Sequence, residues 1–286
     1  MLIFVPITRV DYHLAVPLFK LMGVFGGVQG HTMVVAFMDR AITEVDKEFI
    51  LAEAMKLGDK VYSITHTFNV EYGWPRSANL VFQTAAMIVE QNGAYGEPCW
   101  YFFELDNCPV VPDWVGRLAR AYEWKTAIYY GVREYKPVSN NEGEDGSAFM
   151  LGTGIYPPDT FSRANMCRHL HIIGERFDWV LRPQITPYAW PTKMIASYRR
   201  TLEYCYAGGS KHLVYGAKVL NDDGSTRLNV VSDKKERTID LTKTSPVVVH
   251  GCKDTSLIQL ISKRFSNTSK VVITKQDVED DEEDQD

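Results

Sequence analysis

From Leu2 to Phe103, short apolar runs rich in β-branched and aromatic residues alternate with stretches of helical periodicity, and no other feature of the chain constrains its fold as much. Leu2 to Pro6 reads as a strand, Thr8-Arg9-Val10-Asp11 as a polar loop, and Leu14, Leu18, Leu21 and Met22 mark one face of a helix. Gly23, Gly26, Gly27 and Gly30 break that helix, and His31 to Met38 resumes as a strand. A helix near Glu44 to Leu57, a strand near Lys60 to Thr65 and a helix from about Ser77 to Gln91 lead to the strand at Trp100. Strands alternating with helices imply an α/β fold with a mainly parallel central sheet, in which ligands bind outside the carboxyl ends of the strands.

The last of these strands runs straight into Glu104-Leu105-Asp106, followed by Asn107-Cys108-Pro109. Alternate residues of an extended chain point the same way, so Glu104 and Asp106 are expected to present oxygens to one spot at the strand's end. Oxygen ligands select Mg²⁺ or Mn²⁺, and Mg²⁺ is usually held by one or two carboxylates plus the phosphates of a substrate. An acid pair after a strand also opens turns and caps helices. Here Pro112 and Asp113 already supply a first turn for the next helix, with Leu118 and Tyr122 on its apolar face, which leaves the pair free.

The carboxy-terminal half is less regular. Thr126 to Val132 reads as a strand, and Ser139 to Ser147, rich in Gly, Asn and acids, as a loop of the kind that often forms a lid. Gly152-Thr153-Gly154-Ile155-Tyr156-Pro157 is a glycine-interrupted strand, either a close backbone approach to a ligand or a bulge in an edge strand. Phe161 to Tyr206 is mixed and aromatic, with Phe177 to Leu181 helical. Val247-Val248-Val249 is a late strand ending in His250-Gly251-Cys252-Lys253-Asp254, and Thr255 to Phe265 reads as a closing helix. Neutral His can complete a divalent-metal shell and Lys can offer a point charge to a diphosphate; a buried His beside a helix cap at Asp254 is the structural alternative.

At 286 residues and 45% hydrophobic content the chain can bury a sizeable core. No apolar run approaches the roughly 20 residues that span a bilayer, and the start lacks a signal-peptide pattern, so a cytoplasmic protein without a membrane partner is expected. Five scattered cysteines without CxxC spacing argue against a disulfide framework or a zinc knuckle. The net charge of -5 conceals an asymmetry: eight of the 36 acids lie between Asp277 and Asp286, and the remaining 28 face 31 Lys and Arg, a body near +3. Such a block of like charge reads as a solvated tail. Residues 1–265 are therefore expected to form one domain, with 1–108 as a nucleotide-binding half, 109–265 as an acceptor half and 266–286 as a disordered acidic tail.

An early strand ending in Pro6, an acid-x-acid motif after a later strand and a late His-Gly-x-Lys together resemble nucleotide-sugar glycosyltransferases of the GT-A fold. The combination of Glu104-Leu105-Asp106 with Pro109 and Trp114, then Gly154-Ile155-Tyr156-Pro157, then His250-Gly251-Cys252-Lys253-Asp254 is similar to bacteriophage-encoded glycosyltransferases, among them proteins assigned the glycosylation of hydroxymethylated pyrimidines in phage DNA. The resemblance covers most of residues 1–265 through short motifs. The chain departs from the family's DxD at its first acid, Glu104, so the weight falls on Asp106.

What the resemblance implies is a Rossmann-like GT-A fold and transfer of a hexose, with UDP-glucose the leading donor, to a hydroxyl, with 5-hydroxymethylpyrimidine in phage DNA the leading acceptor. It implies Mn²⁺ or Mg²⁺ held by Glu104, Asp106 and His250, and a donor bound near Pro6, Thr8, Asp39, Arg76, Asn79 and Lys253. Arg76 adds a fork of phosphate donors at a helix start near Ser77, which alternatively serves as a plain N-cap. Asp178, in the aromatic half, is the candidate general base, with a surface acid as its alternative. Trp179, Tyr188, Trp190, Tyr198, Arg199 and Arg200, with Arg163, Arg168, Arg176 and Arg182, supply aromatic and basic material for a DNA acceptor. A glycan or protein acceptor, a nucleotidyltransferase and a catalytically inactive binding module are the competing readings.

Overall fold

Strand β1 (Leu2–Ile7) is apolar on both faces and buried at every position, so it belongs inside a sheet covered on both sides. The computed structural model, which describes residues 1–68, 73–123, 128–135, 148–166, 170–192, 194–197, 203–207, 212–220, 226–229, 238–240, 246–253 and 255–268, places it there. The chain continues through α1 (Tyr12–Val24), β2 (Thr32–Asp39), α2 (Glu44–Ala54), β3 (Val61–Phe68), α3 (Arg76–Gln91), β4 (Trp100–Phe102), β5 (Asn107–Pro109), α4 (Trp114–Glu123), β6 (Tyr129–Tyr135) and β7 (Ala148–Tyr156). Three one-turn helices follow, α5 (Thr160–Arg163), α6 (Phe177–Val180) and α7 (Arg182–Ile185). Then come β8 (Ala189–Pro191), β9 (Ile195–Ser197), β10 (Glu203–Ala207), β11 (His212–Leu220), β12 (Thr226–Asn229), β13 (Thr238–Asp240), β14 (Val248–His250) and α8 (Ser256–Thr268).

Seven strands form the central sheet in the order β3-β2-β1-β4-β7-β6-β8. Its pairs are parallel except those of β7 with β4 and β6, so the expected α/β fold with a mixed, mainly parallel sheet is the one found. Alternation along the strands divides the core. Ile3, Val5, Met33, Val35 and Tyr101 face α1, α4 and α8 through Leu14, Leu18, Trp114, Leu118, Leu257 and Ile261. Leu2, Phe4, Val34, Ala36, Trp100 and Phe102 face α3 and α6 through Phe82, Ala85, Val89 and Phe177. Full burial of each Val, Leu, Ile, Met or Phe among them contributes about 1.5–3 kcal/mol.

Local sequence sets the boundaries. Thr43 caps α2 by accepting from Asp46 N, and its hydroxyl donates back to the Asp46 carboxylate. After α1, Gly27 adopts a φ of 65°, and a Cβ there would lie 2.1 Å from Leu57 O, so only glycine lets the chain pass this close to the end of α2. The register of β7 against β6 shifts between the pairs Gly131–Gly154 and Arg133–Met150, so the expected bulge falls at these glycines, but not in an edge strand. β7 is an interior strand, and Cβ atoms at Gly152 and Gly154 would strike the Phe177 ring and the Met150 side chain. They make room for the core.

Two smaller sheets complete the description. β5, β14 and β9 form one, with β14 antiparallel to β5 and parallel to β9. β10 and β13 pair with β11, which also pairs with β12. Helix α8 continues to Thr268, three residues beyond the expected end of the domain. The acidic tail from 269 onward, the expected lid at 139–147, and Asp254, Arg168, Tyr198, Arg199 and Arg200 lie outside the described residues. Cys99, Cys108 and Cys252 are buried, and burial pushes the Cys99 thiol up to about 12. Among the described residues no helix is long and apolar enough to cross a membrane.

Candidate metal centre

β4 ends at Phe102, and its line continues one residue further, where Phe103 N donates to Phe4 O. The chain then turns rather than running on extended: Asn107 N donates to Glu104 O at 2.9 Å, and β5 begins. Glu104 and Asp106 therefore converge because a turn folds them together, not because an extended strand alternates. A buried polar cluster anchors the turn. Asn107 Nδ2 donates to Thr153 Oγ1 at 3.0 Å, and that hydroxyl also lies 3.3 Å from Phe102 O, tying the start of β5 to β7.

The register of β14 against β5 pairs His250 with Asn107, which sets the imidazole beside the turn. Gly251, at a φ of 96°, then bends the chain so that its own N–H and that of Cys252 both donate to Asp106 O, at 3.1 and 2.9 Å. One loop is thereby fixed to the other through backbone alone. His250 Nε2 lies 3.2 Å from Glu104 Oε2 and 3.4 Å from Asp106 Oδ1, while the Lys253 ammonium forms an ion pair with Asp106 Oδ2.

One ligating atom from each of Glu104, Asp106 and His250 lies within 4.8 Å of the others. The Asp106 side chain is 1% exposed, against 33% for Glu104. Asp106 Oδ1 and His250 Nδ1 find no hydrogen-bond partner among the described residues, and Asp106 Oδ2 meets the Lys253 ammonium, so the Asp106 carboxylate is compensated by its ion pairs. Two carboxylates and an imidazole at this separation suit a divalent cation, and buried oxygens with unused lone pairs fit that use. Burial opposes charge on His250 and Lys253, but the Asp106 and Glu104 carboxylates outweigh it and raise the proton affinity of both.

Asp11, at the start of α1, belongs to the same electrostatic group and was not singled out in the sequence. Burial raises its pKa, and the charges of Lys253, Asp106 and Glu104 all act on it. It makes no side-chain cap bond to its own helix. Its place in the loop after the first strand was the available signal.

The other expected residues fall in several places. Pro6 is buried within β1, and Thr8 O accepts from Tyr12 N to open α1. Asp39 ends β2 at 1% exposure, where its carboxylate accepts from Arg9 Nε at 2.7 Å, Arg9 N at 3.2 Å and Ala41 N at 2.9 Å. Burial works against its charge, yet these donors hold its pKa below the ordinary carboxylate value. Asp39 thus braces the loop after β1. Arg76 is exposed at the first position of α3, whose N-cap is Pro75, so Ser77 lies inside the helix and does not cap it.

Asn79, expected among the donor-binding residues, lies in the core. Its side chain is fully buried, Nδ2 donates to Leu170 O, Ile173 O and Glu175 O, and Oδ1 accepts from Phe177 N at 2.7 Å. No group on it remains for a nucleotide. Asp178 is likewise not the surface acid its alternative reading expected: it is 8% exposed and held by Arg176 through Nε at 3.0 Å and Nη2 at 2.8 Å. Burial raises its pKa against the pull of Arg176, and the Glu104 charge adds to the rise. Nearby, Arg182 sits 4.3 Å from the Trp179 ring centroid and Arg176 5.0 Å from that of Phe149. Tyr188 and Trp190 are exposed, and Arg163 pairs with Asp159.

No protein-family model and no curated protein matches the chain. Among solved structures, the glycosyltransferase GlyE of Streptococcus pneumoniae TIGR4 is similar over 67% of this chain and 45% of its own length, with 9% identity and a TM-score of 0.42. The chain thus spans less than half of that protein, and a likeness at that score carries no argument about function.

Proposed function

We propose that the protein is a metal-dependent glycosyltransferase of the GT-A type, transferring a hexose from a nucleotide-diphosphate sugar to an acceptor hydroxyl. The observation that carries this reading is the convergence of Glu104, Asp106 and His250, with Lys253 beside them, at the carboxyl end of β4. In open α/β sheets that is where ligands bind. Mn²⁺ or Mg²⁺ held by these three residues would supply neutralisation of the charge that develops on the leaving diphosphate.

The chain's own groups divide the remaining work. Lys253, kept protonated by its acidic neighbours, offers a point charge to the diphosphate, and Arg76 on the first turn of α3 is a second phosphate-binding candidate. Pro6 and Thr8 at the end of β1 border the nucleotide, with Asp39 acting on it through the loop it braces. Asp178 is the candidate general base: its raised pKa brings it nearer the working pH, and its pairing with Arg176 fixes its direction. UDP-glucose is the leading donor, and 5-hydroxymethylpyrimidine in phage DNA the leading acceptor. The stacked pair Arg182–Trp179 and the exposed rings of Tyr188 and Trp190 suit an unstacked base and its phosphates. The site of action on this reading is the cytoplasm of an infected cell.

The test is release of UDP from UDP-glucose with Mn²⁺, with and without duplex DNA containing 5-hydroxymethylpyrimidine, together with the mass of the digested nucleosides. A hexose-sized mass gain that disappears in Asp106→Asn is expected. UDP release without modified nucleosides moves the acceptor to a glycan or protein, and no release from any sugar nucleotide overturns the enzyme reading.

A further inference from the structure

We propose that Lys253 is an internal counter-ion that competes with a divalent cation for the Asp106 carboxylate, and that the phosphates of an arriving nucleotide draw it away, so that metal and nucleotide bind as a coupled pair. The inference rests on the reading of the site as metal- and diphosphate-binding, and adds an order to it.

Asp106 is almost wholly buried, so its charge must be compensated in every state of the protein. Here the compensation comes from both sides, with His250 Nε2 at 3.4 Å from Oδ1 and the Lys253 ammonium on Oδ2. A cation seated among Glu104, Asp106 and His250 would share the Asp106 carboxylate with that ammonium. Two positive centres on one poorly solvated carboxylate repel, and the lone pair holding the ammonium is then no longer fully available to the metal. Lys253 therefore has to move before the cation is bound well.

The loop permits a side-chain movement and resists a backbone one. Gly251 N and Cys252 N are both bonded to Asp106 O, which fixes the chain on which Lys253 sits. The Lys253 side chain is itself 33% exposed, and its unbranched stem gives the ammonium a path outward. Inside the protein, the other carboxylates that act on Lys253 among the described residues are Asp11, which is partly buried, and Glu104, itself a candidate metal ligand. Neither acid offers a fully solvated partner. A diphosphate offers several oxygens to the ammonium and to the metal together, so one ligand repays both the lost ion pair and the approach of the metal. By reciprocity, whatever factor the nucleotide adds to metal affinity, the metal adds to nucleotide affinity.

The experiment is Mn²⁺ binding to the full chain, read from the electron paramagnetic resonance signal of free Mn²⁺, with and without UDP. It is run on the parent protein, Lys253→Met, Lys253→Arg and Asp106→Asn, each checked for folding by circular dichroism. In the parent, UDP is expected to tighten Mn²⁺ by about tenfold or more. Lys253→Met is expected to bind Mn²⁺ alone about tenfold tighter than the parent and to gain little from UDP, while Lys253→Arg, which keeps the charge, stays weak without UDP. Equal Mn²⁺ affinity with and without UDP in the parent overturns the proposal without recourse to any variant. So does a folded Lys253→Met that binds Mn²⁺ no tighter than the parent. If those results come with Mn²⁺ binding that Asp106→Asn abolishes, the metal site stands and only the counter-ion role falls. If the parent binds no Mn²⁺ even with UDP, both fall together.

Discussion

His250 and Lys253 face the Asp106 carboxylate in a nearly waterless position, and the imidazole's part in that pairing is open to titration. Burial by itself would lower the proton affinity of His250, and the two carboxylates reverse the sign, so its folded-state pKa lies above the unfolded value of 6.5. The stability gained from the charged imidazole is then complete below pH 6.5 and is lost as pH rises through the folded pKa. In protein stripped with EDTA, the melting temperature is expected to fall as pH rises above 6.5, and to fall less in His250→Gln. An equal slope in the two would show that the imidazolium is not held by the acids. Asn79 carries a different kind of dependence. Asn79→Ala leaves three carbonyls and one N–H near the 170–177 segment without their partner, at a cost of about 2–4 kcal/mol. Calorimetry should show a melting temperature lower by roughly 5–15 °C, and UDP release should drop as well, because the segment leads directly into Asp178.

At the scale of elements, α6 is a single turn whose position depends on Phe177, stacked on Phe82 of α3 with ring centroids 4.0 Å apart. A Cβ on Gly152 of β7 would lie 2.3 Å from the tip of that ring. Gly152→Ala must therefore push Phe177 aside, and overpacking of this kind costs about 1–3 kcal/mol. Because the same turn carries Asp178, transfer is expected to fall further than stability alone explains. A double-mutant cycle with Phe177→Leu is expected to show the two losses partly cancelling, and strict additivity would mean that the glycine is not there for the ring. Elements of this sheet were legible in the sequence to different degrees. β1, β2 and β4 announce themselves as apolar runs because they are buried on both faces, and the period of α1 is plain in Leu14, Leu18, Leu21 and Met22. The acid pair was legible as chemistry, since carboxylates at a strand's end need a reason, but not as geometry, because the turn that joins them follows from the pairing of β5 with β14, about 140 residues away in the chain. Asn79 was illegible for the same reason: its partners lie 91 to 98 residues along the chain, and nothing local distinguishes a buried amide clamp from a free polar side chain. Glycines 152 and 154 were legible as a break in a regular strand, and β7 shifts register against β6 there, but Phe177 and Met150, which fill the space beside them, are brought there by packing.

For the molecule as a whole, the site lies where two sheets meet, with Glu104 and Asp106 on the turn from the large sheet into β5 and His250 at the end of β14 in the small one. A ligand held there joins the amino-terminal part of the chain to its carboxy-terminal strand, next to α8, and so opposes unfolding of both. Binding that favours the folded state stabilises it by RT ln(1 + [L]/Kd), about 2.7 kcal/mol at a hundredfold excess over Kd. For a protein of this size that corresponds to a rise of roughly 5–10 °C in melting temperature. The coupling argued for Lys253 decides how the rise is distributed: Mn²⁺ alone and UDP alone should each give a small part, and the two together more than their sum. In Asp106→Asn, whose turn keeps its backbone bonds to Gly251 and Cys252 but loses a carboxylate proposed to bind the metal, the combined shift should collapse to that of UDP alone. If Mn²⁺ and UDP together raise the melting temperature of Asp106→Asn as much as that of the parent, the ligands bind elsewhere, and the meeting point of the two sheets is a structural joint and not a catalytic centre.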